Sequence, residues 1–124
     1  KLKYNGHNFI IFNVYFPCLS VSLEYFDQVA LICGFIDNII QDHYDSDCDI
    51  IISGDFNCNA ESFINNDALL VLVDLFNTYD LKLCDDYYTG PIDYTFKSAS
   101  HNSFTWIDHI FVSKLLCYNL ASQF

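Results

Sequence analysis

The chain has 124 residues, is 52% hydrophobic and 18% aromatic, and so suits one domain with a core and excludes intrinsic disorder. Its net charge of −11, from 16 acids and 5 bases, counts against a simple nucleic-acid-binding module, which would carry a basic face; an acidic site holding a metal cation is compatible with it. The chain contains no Met and opens Lys1-Leu2-Lys3, so it reads as a segment of something longer, with part of its apolar surface meant for a missing neighbour.

Residues 8–16 form an apolar, β-branched and aromatic run that ends at Pro17. They predict a strand buried on both faces. Ser20 or Ser22 can cap a helix whose first turns carry Glu24 and Asp27 near the positive end. Leu23, Phe26, Val29, Ala30, Cys33, Ile36 and Ile40 follow helical spacing to about His43, and Gly34 weakens that helix slightly. Residues 42–49 are polar and read as a solvated loop. Ile50 to Ser53 predict a second buried strand that runs into Gly54.

A helix is expected from about Asp67 to Tyr79, with Leu69, Leu72, Val73 and Phe76 on one face. Residues 80–93 read as loop, with Gly90-Pro91 as a turn signal. Tyr94 to Phe96 and Phe104 to Val112 predict two more strands. The first half has the order of a crossover unit and the second that of a hairpin. The expected class is α/β (α+β), a mixed sheet covered by helices.

Six cysteines stand at positions 18, 33, 48, 58, 84 and 117, and none forms a CxxC pair. Several lie in apolar runs, where free cysteine behaves as a small buried hydrophobe. That favours a reducing compartment over a disulfide framework. No apolar run approaches the roughly 18 residues that span a bilayer, so no membrane is expected as a partner.

Three stretches carry chemistry. In Ile51-Ile52-Ser53-Gly54-Asp55-Phe56-Asn57, a buried strand delivers a carboxylate and a carboxamide two positions apart. Side chains alternate along a strand, so Asp55 and Asn57 are expected to point to the same side. Gly54 leaves room for backbone or ligand to approach. Asp55 can bind a cation or take a proton from water, and Asn57 can donate to a phosphoryl oxygen. A plain strand-end turn uses the same residues. In Asn13-Val14-Tyr15-Phe16-Pro17, Tyr15 shares a face with Asn13 and its hydroxyl could reach a phosphate; a core tyrosine is the alternative. In Trp106-Ile107-Asp108-His109-Ile110-Phe111-Val112, an acid inside an apolar strand needs a partner. His109 is a poor one, because strand neighbours face opposite ways, while Ser103 and Thr105 are near.

In order and spacing these stretches resemble the second half of the endonuclease/exonuclease/phosphatase superfamily. The elements are strand–Tyr–x–Pro, Gly-Asp-Phe-Asn and Ile-Asp-His-Ile-Phe-Val-Ser. The wording is most similar to the endonuclease domain of non-LTR (LINE-type) retrotransposons. It shows in Asn13 to Cys18, Gly54 to Asn59, Leu75 to Leu81 and Ser103 to His109.

The resemblance implies a four-layered α/β sandwich of the DNase I-like type, of which residues 1–124 are a partial domain. It implies that Tyr15 contacts the phosphate or tunes the site, that Asp55 positions or deprotonates the attacking water, that Asn57 stabilises the pentacoordinate phosphorus, and that Asp108 orients a catalytic histidine. Asp55 and Asn57 would serve Mg²⁺, with Mn²⁺ as substitute, and Asn13, Asn59, Thr105 and Trp106 would contact substrate.

The implied function is a DNA endonuclease that nicks target DNA for a retroelement. The alternatives are a phosphatase or phospholipid diesterase of the same superfamily, and a non-catalytic remnant. Implied partners are DNA, the N-terminal half of the same domain and a downstream reverse transcriptase, in the nucleus or cytoplasm. The family's early Asn and metal-binding Glu would precede Lys1, and its closing Ser-Asp-His motif would follow Phe124. Cys18 stands where apurinic-site repair enzymes tend to have Asn. The segment alone is therefore expected to be nearly inert. His7, His43 and His101 are expected to be solvated, as are Asp85 and Asp86.

Overall fold

A computed structural model describes residues 1–43, 48–87, 94–114 and 116–117. The first strand, β1 (Leu2–Tyr4), turns back into β2 (His7–Tyr15). Asn5 and Gly6 form that turn with φ of 49° and 87°. Positive φ at both central residues is what a two-residue hairpin with native twist requires, and Asn-Gly is the pair that supplies it. This hairpin is an addition to the expected elements, although the Asn-Gly pair is itself a hairpin signal.

Helix α1 (Leu23–His43) follows β2. The Ser22 hydroxyl accepts the Tyr25 amide at 3.2 Å, so Ser22 is the cap. The chain then enters β3 (Cys48–Asp55), parallel to β2, which completes the expected crossover. A short helix α2 (Ser62–Asn65) and a 3-10 turn at Asp67–Leu69 lead into α3 (Leu70–Thr78). The expected helix from Asp67 thus begins with a tighter turn, which the Asn66 side chain caps at the Ala68 amide.

After α3 the sequence suggests only loop. The structure has a short strand β4 (Leu81–Leu83) and a 3-10 turn at Cys84–Tyr87; Gly90-Pro91 lies outside the described residues. Strands β5 (Phe96–Ser98) and β6 (Ser103–Thr105) pair as a separate two-stranded hairpin, and β7 (Asp108–Ser113) joins the main sheet. The expected strand Phe104 to Val112 is therefore broken at Trp106–Ile107, where the chain passes from one sheet to the other. The main sheet has the order β1-β2-β3-β7-β4 and is mixed, with β2 and β3 parallel and β7 antiparallel to both β3 and β4.

One face of that sheet is covered. Ile10, Phe12, Ile50, Ile52 and Phe111 pack with Val29, Cys33, Ile36 and Ile40 of α1 and Leu72, Leu75 and Phe76 of α3 in a single core. Tyr25 is the buried residue in the first turn of α1, whereas Leu23, Phe26 and Ala30 are exposed. The other face is open. Ile10 is 3% exposed and its neighbour Ile11 is 50% exposed. The expectation that β2 is buried on both faces is thus corrected. Its residues are apolar enough for two layers, but among the described residues only one layer of helices covers them.

Candidate active site

Strand pairing assembles the site. In parallel β2 and β3, Tyr15 is the register partner of Asp55. In antiparallel β3 and β7, Asp55 is the partner of Asp108. Register partners project to the same face. Tyr15, Asp55 and Asp108 therefore form one row across three adjacent strands, at one end of the sheet and on its open face.

The backbone around the row is tied down. The Phe16 amide donates to the Asp55 carbonyl at 2.8 Å, and the Phe56 amide donates to the Ile107 carbonyl at 2.8 Å. The Asp108 amide donates to the Thr95 hydroxyl at 3.0 Å. Asp55 and Asp108 thus form a non-hydrogen-bonded pair, in which opposed Cα atoms lie about 4.5 Å apart and side chains are closest. Two like charges so placed repel.

Asn57 arrives by a different route from the one expected. Strand β3 ends at Asp55, and Asn57 lies beyond it with φ of 53°, so strand alternation does not relate the two. Instead the Asp55 carboxylate accepts the Asn57 amide at 2.8 Å, and the Asn57 side-chain amide donates to the Phe16 carbonyl at 2.8 Å. The Asn57 carboxamide oxygen accepts only the Cys18 thiol, at 3.8 Å, among the described residues. Gly54 makes this close approach feasible. Its φ is +145°, and a Cβ there would sit 1.9 Å from the Val14 carbonyl oxygen.

Tyr15 is exposed, not packed, and its hydroxyl is open to an incoming group. Asp108 is also exposed, at the first position of β7, so the sequence argument for a buried acid in need of a partner does not apply. Asn13 is exposed two residues before Tyr15 and shares its face. Thr105 ends β6, and the Trp106 indole donates to the Asp108 carbonyl at 2.8 Å, so both stand beside the row. Asn59 differs: its carboxamide oxygen accepts from the Ser62 amide and hydroxyl at 3.1 and 2.8 Å, which engages it at the start of α2.

His109 and Asp85 depart furthest from expectation. Asp85 is not a solvated loop acid; its carboxylate meets His109 Nδ1 at 2.5 Å, with His109 fully buried. Strand periodicity places His109 away from Asp108, but nothing local points to a partner 24 residues upstream. His7, His43 and His101 are exposed, as expected.

The donors fit a hard cation. Mg²⁺ takes oxygen ligands, keeps several waters and is commonly held by one or two carboxylates together with substrate phosphates. Asp55 and the Asn57 carboxamide oxygen are of that type. Among the described residues, no three His, Cys, Asp or Glu side chains gather into a cage.

No family model matches the chain, and no curated protein matches it. Solved structures do. An endonuclease/exonuclease/phosphatase family protein from Bacteroides thetaiotaomicron superposes on 90% of this chain with a TM-score of 0.57 at 22% sequence identity. The chain spans 38% of that protein's length. The chain thus shares the fold of that protein, a mixed sheet with helices packed on it. No helix among the described residues is long and apolar enough to cross a membrane.

Proposed function

We propose that the chain is part of a metal-dependent phosphodiesterase, a DNA endonuclease of the kind that nicks target DNA for a retroelement. The observation that carries the reading is the row Tyr15–Asp55–Asp108 on the open face, with Asn57 tied to Asp55 by the turn that follows. Phosphoryl transfer needs little covalent chemistry from a protein; it needs positioned groups that meet developing charge and orient a nucleophile.

In this reading Asp55 accepts the proton of the attacking water or aligns it. Tyr15 donates its hydroxyl hydrogen to a non-bridging phosphate oxygen. The Asn57 carboxamide steadies the pentacoordinate phosphorus. Asp108 orients an imidazole supplied from elsewhere in the protein. Asn13, Thr105 and Trp106 flank the phosphate-bearing strand. Mg²⁺, held through Asp55 and Asn57, would neutralise phosphate charge when bound. The net charge of −11 makes such a cation, or basic residues elsewhere in the protein, necessary for a polyanionic substrate. The apolar residues of the open face, Leu2, Ile11 and Ile110 among them, suit a second layer, which we assign to the N-terminal half of the same domain. A downstream reverse transcriptase would complete the protein.

The test is a plasmid-nicking assay on the chain extended in both directions along its reading frame. Mg²⁺-dependent nicking that Asp55→Ala abolishes is expected. Hydrolysis of phosphomonoesters or phospholipids without nicking would overturn the DNA assignment.

A further inference from the structure

Strand β7 sends its first two residues to opposite faces. Asp108 faces the open side, and His109 faces the core, where it is 1% exposed. Its ring lies among Phe56, Phe63 and Phe111, at centroid distances of 5.6, 5.4 and 6.4 Å. Both ring nitrogens meet acceptors. Nε2 lies 2.8 Å from the Cys58 carbonyl oxygen, and Nδ1 lies 2.5 Å from an Asp85 carboxylate oxygen. A carbonyl oxygen carries no hydrogen, so Nε2 must donate. The Nδ1 contact likewise needs a proton between its two atoms, whether it resides on the ring or on the carboxyl. With it, the pair is neutral overall; without it, a ring lone pair would face a carboxylate oxygen.

The Cys58 carbonyl belongs to the turn that carries the candidate site. That turn is also held by the Asn57 amide on Asp55 and by the Asn57 side chain on the Phe16 carbonyl. We propose that His109, backed by Asp85, is a positioning residue that holds the Asp55–Cys58 turn in place through the Cys58 carbonyl. The inference rests on the reading of Asp55 and Asn57 as site residues. It gives the His of the Asp108-His109 pair a role separate from that of the Asp: one residue faces the substrate side, and the next anchors the opposing turn from beneath. Asp85 is the charged group that faces the ring, and Cys84 and Asp86 flank it on its own turn.

The test is amide hydrogen exchange on the 124-residue chain, at a concentration where light scattering reports a monomer. His109→Leu removes the donor, and Asp85→Asn removes the charge behind it. Each is expected to speed exchange of the Asn57 amide by roughly tenfold, the scale of a lost hydrogen bond to a charged group. Amides of Ile36 and Ile52, in the core away from the turn, should keep near wild-type rates. His109→Gln, which retains an N–H donor, should recover part of the protection. Equal acceleration at all amides, or no change at Asn57 in a folded variant, would overturn the proposal. If His109→Leu does not fold, Asp85→Asn decides by the same two readings. Nicking is not the readout, so this result and that of Asp55→Ala can fail separately.

Discussion

Asp55 and Asp108 stand directly opposite each other on neighbouring strands, and neither backbone bonds to the other. The Asp55 carbonyl is taken by Phe16, and the Asp108 amide by Thr95. Two carboxylates at the closest cross-strand spacing are a poor choice for stability.

Replacing one of them should therefore have opposite effects on stability and on the proposed activity. Asp108→Asn should raise stability by about 0.2–1 kcal/mol, the scale of a cross-strand charge pair, and should lower nicking by the extended chain. Urea titration reads the first and a plasmid assay the second. A loss of stability would mean that the two carboxylates are already compensated.

Gly54→Ala should cost about 3 kcal/mol or more, because the left-handed φ is strained for any side chain and the Cβ would meet the Val14 backbone at 1.9 Å. Thermal melting measures this. A near-neutral outcome would show that β2 and β3 can separate at the site without cost.

Ile10 and Ile11 give the two faces of β2 distinct costs. Ile10→Ala, in the core, should lose about 2–5 kcal/mol. Ile11→Ser, on the open face, should change stability by about 1 kcal/mol or less and should reduce self-association, since exposed apolar area drives it. Equilibrium unfolding and sedimentation together separate these effects. Large destabilisation by Ile11→Ser would mean that the open face is covered.

The buried thiols set an alkaline limit. Burial pushes Cys33 and Cys58 up to about 12 from an ordinary value of 9.0. A group whose folded value is raised holds its proton more tightly when folded. Its contribution is complete below the ordinary value and is lost as pH rises through the folded one. Stability should therefore fall between about pH 9 and pH 12, and an alkylating agent at neutral pH should modify exposed Cys18 well before Cys33 or Cys58. Mass spectrometry of the labelled chain checks the order. Rapid labelling of Cys58 would contradict its burial.

Much of the architecture is legible in the amino-acid order alone. The apolar runs at residues 8–16 and 50–53, the helical spacing up to His43, and the short loops between them define a crossover, because local hydrophobic period and chain connectivity act over a few residues. The three motifs place Tyr15, Asp55 and Asp108 at strand ends for the same reason. The short strand β4 is not legible: three residues carry too little pattern, and the strand exists because β7 offers it an edge.

What the sequence by itself determined was which residues could form strands and helices, and which of them are of a type that could bear chemistry. Only the tertiary structure decided how those residues meet. It put Asp55 and Asp108 in one cross-strand pair, ended β3 before Asn57, broke the run Phe104 to Val112 between two sheets, left one face of β2 open, and brought Asp85 to His109. Each of these depends on register and on contacts between distant segments. Periodicity is a property of one element, whereas register is a property of two, and it is settled by the hydrogen bonds and packing that only the folded chain forms.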